Sequence, residues 1–185
     1  METSTGKYYS TCLIFSPSGE LLGSHRKMHL FDIDIPGKIF FQESAILSPG
    51  KEVTIVTLEP YGKIAIGICY DMRFSDMATV AARQDVFALV YPSAFNTTTG
   101  PLHWELIARA RAVDNQVFVI LCSQARDLNA TYQAWGHSLI VDPWARVMGE
   151  LDEKPGILYT DLYANVLQEA RGSIPITLQR IFDVY

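Results

Sequence analysis

The stretch Lys63-Ile64-Ala65-Ile66-Gly67-Ile68-Cys69-Tyr70-Asp71-Met72-Arg73-Phe74-Ser75-Asp76 decides how this chain is to be read. Its first half is apolar at almost every position, as suits a strand covered on both faces. A short turn follows, and Ser75-Asp76 is a pair suited to a helix N-terminus. A strand that ends at a cysteine and turns into a helix projects the sulfur from the strand end. Backbone N–H groups of the turn could meet an oxyanion there, and the positive end of the helix favours a thiolate. A thiolate is a strong nucleophile, and a covalent thioester splits a difficult acyl transfer into two easier steps. The competing account makes Cys69 a small buried hydrophobe. This segment alone leaves both open.

Outward from this segment, short apolar runs recur at Tyr9 to Phe15, Val53 to Leu58, Val86 to Tyr91, Val117 to Cys122, Ser138 to Val141 and Gly156 to Thr160. Turn residues bound them and Val, Ile and aromatics fill them, so they are expected to be strands. Ser75 to Arg83 and His103 to Asp114 are expected helices. The second places Leu106, Ala110 and Val113 on one stripe and pairs Glu105 with Arg109 at i,i+4. Strands and helices alternate, an α/β pattern. Tyr9 to Phe15 reads as an interior strand although almost nothing precedes it.

The 185 residues suit one domain, 1–185, with no internal repeat or linker. With 49% hydrophobic and 19% charged residues the chain is globular rather than disordered. A net charge of −5 gives no basic footprint for nucleic acid. No apolar run approaches the ~18 residues of a membrane span. The polar start, Met1 to Lys7, lacks the apolar segment of a secretion signal. Three cysteines then suggest reduced thiols in a cytoplasmic setting, with a mitochondrial one left open.

Two other segments offer chemistry. In His25-Arg26-Lys27-Met28-His29-Leu30-Phe31-Asp32, Lys27 could stabilise a tetrahedral oxyanion and lower the pKa of a nearby thiol; taken alone, such a basic run is a solvated strand end. His25 and His29 have metal-like spacing, but no cluster completes a metal site. In Phe41 to Gly50, Glu43 could hold a lysine in place or be an ordinary surface carboxylate. Cys12 and Cys122 lie inside apolar runs without a following turn and helix, so core packing is expected of them.

Taken together, Arg26 to Asp32, Glu43 to Gly50 and Gly67 to Phe74 resemble the nitrilase superfamily of carbon-nitrogen hydrolases, in the same order. Pro92 to Asn96, Gly100 to Trp104, Arg109 to Gln116, Trp135 to Ser138 and Arg180 to Tyr185 extend the likeness over essentially the whole chain. In detail it looks closest to the omega-amidase branch, whose members hydrolyse 2-oxoglutaramate and 2-oxosuccinamate to dicarboxylate and ammonia. The resemblance implies an αββα sandwich and a homodimer, with a small-molecule amide as substrate and no cofactor. It also implies that Cys69 is the nucleophile, Lys27 the oxyanion-stabilising lysine, Glu43 its supporting carboxylate and the Tyr70 backbone amide a second oxyanion donor.

Two departures from the family pattern stand out. The family's general-base glutamate ends an early strand that this chain does not contain. The expectation is therefore a sandwich lacking its first strand and helices, and either an omega-amidase-like hydrolase or a truncated, catalytically impaired paralogue. The second departure is Ser75-Asp76-Met77 where the family has Pro-Glu-Leu; Ser75 is expected to cap the helix without harm. A dicarboxylate monoamide needs a cation for its distal end, and Arg73 is the candidate. Internal pairing of Arg73 with Asp71 or Asp76 is the competing account.

Overall fold

The computed structural model describes residues 2–37 and 39–184. Tyr185, the last residue of the C-terminal motif, lies outside them.

The expected strand before Cys69 forms β6 (Gly62–Ile66), preceded by β5 (Thr54–Leu58). Helix α1 (Ser75–Ala82) leads to β7 (Val86–Pro92), and α2 (Gly100–Asn115) leads to β8 (Phe118–Cys122). β6, β7 and β8 are mutually parallel, so these are two successive strand–helix–strand crossovers. β9 (Leu139–Val141) and β10 (Val147–Glu150) extend the sheet antiparallel, giving the order β10-β9-β8-β7-β6-β5.

The two faces of this sheet are packed differently. On one face Ala65, Leu89, Tyr91, Val119 and Leu121 meet Ala78 and Ala81 of α1 and Trp104, Ala108 and Ala112 of α2. Small residues on both helices let their backbones approach the sheet. On the other face Val56, Ile64, Ile66, Ala88 and Phe118 are buried. They are covered by Cys12 and Ile14 of β1 (Thr11–Phe15), which pairs with β2 (Leu21–Arg26), and by Val166 and Leu167 of α3 (Ala164–Ser173). A second hairpin, β3 (Asp32–Ile35) with β4 (Ile39–Gln42), stands apart, and a single turn, α4 (Ile176–Gln179), follows α3.

Several expectations change. Tyr9 to Phe15 is not an interior strand: among the described residues β1 has one partner, and Leu13 and Phe15 are exposed. Among the described residues Gly156 to Thr160 joins no sheet, and its Ile157 and Tyr159 are exposed. Ser75 is not the cap of α1; Phe74 occupies that position with extended backbone, and Ser75 is the first helical residue. α2 starts earlier than expected because Pro101 fits the first turn, where its missing N–H costs nothing. The stripe Leu106, Ala110 and Val113 does not face the core. Leu106 is 65% and Val113 46% exposed, and the buried side is Trp104, Ala108, Ala112 and Asn115.

Candidate active site

The C-terminal ends of β6, β7 and β8 open into one cavity of about 720 Å³. Cys69, Tyr70 and Arg73 enter it from the turn after β6, Pro92 to Asn96 from the loop after β7, and Cys122 to Gln124 from the end of β8. Lys27 and Glu43 line it as well. The edge where parallel strands end is the usual place for such a site, since successive loops diverge there.

Local backbone geometry aims the sulfur. Gly67 continues the ladder by donating to Val90 O at 3.0 Å. Only glycine fits, because a Cβ there would lie 2.5 Å from the Tyr91 ring. Two residues later Cys69 adopts φ 47°, a left-handed conformation that costs a non-glycine residue about 1–3 kcal/mol. A 3-10 turn, Cys69–Arg73, begins at that residue. The thiol donates to Ala94 O at 3.8 Å, and the Tyr70 N–H donates to no group among the described residues.

Lys27 is pinned before its side chain acts. Its N–H donates to Ser10 O at 2.9 Å, and its carbonyl accepts from Gly50 N at 2.8 Å. The β3–β4 hairpin then returns the chain, pairing Asp32 with Gln42, so Glu43 emerges beside Phe31. Glu43 Oε2 accepts from Lys27 Nζ at 2.5 Å and from Phe31 N at 2.7 Å. The Lys27 side chain is only 3% exposed. A buried ammonium with one carboxylate partner is a fixed positive charge on the cavity wall.

The surroundings of Cys69 raise the pKa of its thiol. Burial pushes its thiol above the ordinary range, and the nearby Lys27 ammonium opposes that without reversing it. The expectation that the helix end favours thiolate is therefore corrected: the nearest element is a 3-10 turn, and the desolvation of a negative sulfur dominates.

His25 and His29 hold a carboxylate. Asp71, fully buried, accepts from His25 Nε2 at 3.1 Å, His29 Nδ1 at 2.8 Å, His29 N at 2.9 Å and Ile68 N at 2.9 Å. Burial alone would raise its pKa, but these hydrogen bonds outweigh that and hold it below the usual carboxylate range. Arg73 consequently pairs with neither Asp71 nor Asp76; among the described residues it makes no ion pair. Its Nη1 contacts His103 Nδ1 at 3.2 Å, and its guanidinium lies 4.7 Å over the Phe95 ring.

Cys122 departs from expectation too. It is exposed and lines the cavity, whereas Cys12 is partly buried beneath β5 and β6. Sequence reading also missed Tyr132, whose hydroxyl donates to Ala94 O at 2.5 Å and whose pKa burial pushes up to about 12. Arg111 was missed as well. It reaches from α2 to Met72 O at 3.0 Å and Arg73 O at 2.8 Å, clamping the Cys69 turn. No periodic signal marked it, since the stripe read from the sequence faces outward and Arg111 lies among Ala108, Ala112 and Asn115 on the buried side. Trp104 is buried in the core beneath α2, and Glu105 pairs with Arg109 at 3.1 Å on the surface.

Residues 1–172 match the family model of carbon-nitrogen hydrolases. The chain is 52% identical over 185 residues to omega-amidase NIT3 of Saccharomyces cerevisiae, covering 100% of this chain and 63% of that protein. It is 54% identical over 184 residues to omega-amidase NIT2 of Mus musculus, covering 100% of this chain and 66% of that protein. The crystal structure of Saccharomyces cerevisiae Nit3, a member of branch 10 of the nitrilase superfamily, matches with a TM-score of 0.88 at 47% identity, over 97% of this chain and 62% of that one. The chain thus spans less than two thirds of the length of these relatives. Its central sheet and helices are arranged as in the nitrilase superfamily. On the family match and these likenesses, the chain belongs to the carbon-nitrogen hydrolase family.

Proposed function

We propose that residues 1–185 form one carbon-nitrogen hydrolase domain that cleaves a small amide through a thioester on Cys69. The observation that carries this reading is the Lys27 ammonium, buried beside Glu43 on the wall of the cavity that Cys69 enters. As sulfur bonds to the amide carbon, the thiol proton passes to the amide nitrogen. The oxyanion falls to Lys27 and to the free Tyr70 N–H. The carbon–nitrogen bond then breaks, nitrogen leaves as ammonia, and water cleaves the thioester to a carboxylate and restores the thiol. No step calls on a cofactor.

The substrate we infer is an omega-monoamide of a 2-oxo dicarboxylic acid, such as 2-oxoglutaramate or 2-oxosuccinamate. The names of the two relatives support the class, and Arg73 supplies an uncompensated cation for the distal carboxylate. We further infer a homodimer built on the outward face of α2, where Leu102, Leu106 and Val113 are exposed. Among the described residues no helix is long and apolar enough to cross a membrane. Three free thiols support a reducing compartment such as the cytoplasm.

A second reading rests on the base. Glu43 is the sole carboxylate among the described cavity residues, and its Oε2 is committed to Lys27 and Phe31. A raised thiol needs a base, so on this reading the chain is a catalytically impaired paralogue in which no described cavity carboxylate is free to take the thiol proton. Ammonia release from 2-oxoglutaramate by the purified chain, abolished in Cys69→Ala, supports the hydrolase. Absence of release, with the dicarboxylate still bound, supports the impaired paralogue.

A further inference from the structure

We propose that His103 is a positioning residue that sets selectivity for a carboxylate-bearing substrate, by holding the Arg73 guanidinium in one orientation at the cavity wall. This rests on the reading that the substrate carries a distal carboxylate.

A guanidinium always donates, so His103 Nδ1, 3.2 Å from Arg73 Nη1, must be the acceptor. The ring is then neutral, with its proton on Nε2. His103 is not part of the cavity lining, whereas Arg73 is. The imidazole therefore stands behind the cation and acts through it.

Three contacts fix residue 73. The Phe95 ring lies under the guanidinium at 4.7 Å, His103 holds one nitrogen, and Arg111 Nη2 donates to the Arg73 carbonyl at 2.8 Å. His103 and Arg111 both come from α2, so one helix grips side chain and backbone together. No carboxylate of the described residues neutralises the cation. Asp71, the nearest in sequence, is spent on His25, His29 and Ile68. The remaining guanidinium N–H groups keep the planar fork that a carboxylate accepts bidentately. An unsupported arginine would spend rotamer entropy to reach that pose.

The test is calorimetric binding to the full chain, which requires no turnover. The ligands are 2-oxoglutarate and the neutral butyramide. His103→Ala and His103→Phe should each weaken 2-oxoglutarate about tenfold. Butyramide should change by less than about twofold on the same reasoning, with the melting temperature near that of the unsubstituted chain. His103→Asn, which retains an acceptor, should recover most of the loss. If Arg73→Met abolishes dicarboxylate binding while both His103 variants retain it, the inference fails and the substrate reading stands. Equal weakening of both ligands also overturns the inference. If the unsubstituted chain binds no dicarboxylate, both fall.

Discussion

Asp71 and His29 are joined twice, through the His29 backbone N–H at 2.9 Å and through Nδ1 at 2.8 Å. Because Asp71 also accepts from Ile68 N at 2.9 Å, one buried carboxylate ties the strand end carrying Lys27 to the turn carrying Cys69. The His29 ring is stacked on Phe74 at 3.6 Å, which fixes the far end of the same turn. The relative placement of nucleophile and ammonium thus depends on a group that touches neither.

Removing that carboxylate should be costly. Asp71→Ala leaves the buried His25, the half-buried His29 and several N–H groups without their acceptor, and should lower unfolding free energy by about 3–5 kcal/mol. Urea denaturation measures this. The pH dependence carries the same signature. The folded carboxylate titrates below its ordinary range, so its stabilisation is full above ~pH 4 and is lost as pH falls through the depressed folded value. Asp71→Asn should flatten that acid limb.

Cys69 should be a slow thiol at neutral pH. Its raised pKa means less thiolate than a free cysteine carries, so alkylation by iodoacetamide should lag that of exposed Cys122 and climb steeply in alkali. Peptide mapping against pH distinguishes the sites. Rapid labelling of Cys69 at neutral pH would mean that the ammonium outweighs burial.

Lys27 and Glu43 should behave as one unit. At 2.5 Å, with the amine 3% exposed, each leaves the other charged and unpaired when removed. Lys27→Met and Glu43→Gln should be less costly together than the sum of the singles, with a coupling of about 1–3 kcal/mol in a double-mutant cycle. Additivity would remove the pair from the account.

The outward stripe of α2 gives a prediction on assembly. A charge at Leu106, 65% exposed, should leave the fold intact and shift a dimer toward monomer in sedimentation equilibrium. An unchanged sedimentation profile for Leu106→Glu would place the interface elsewhere.

The strand–turn–helix around Cys69 was legible because Ile64, Ala65 and Ile66 make β6 an apolar, buried run and its end is marked by Gly67 and a polar turn. Helix α2 was legible as a helix, but its orientation was not. The stripe read from the sequence, Leu106, Ala110 and Val113, faces outward because Ala108 and Ala112 on the other side permit closer approach to the sheet. The strand at Gly156 to Thr160 was inferred from composition alone, and composition cannot supply a pairing partner. Lys27 and Glu43 sit far apart in the chain, and only the β3–β4 register brings them together. Asp71, Arg111 and His103 went unassigned because each acts on backbone or another side chain across the fold, and such contacts leave no periodic trace.

The most direct measurement is covalent capture by a chloromethyl ketone bearing a distal carboxylate, which alkylates a thiol with loss of chloride and requires no water activation. At alkaline pH the account predicts an adduct on Cys69 that 2-oxoglutarate slows and that is absent in Cys69→Ala, read by peptide mapping apart from any labelling of the exposed Cys122. An adduct on Cys122 with Cys69 unmodified, or labelling indifferent to the dicarboxylate, would contradict it.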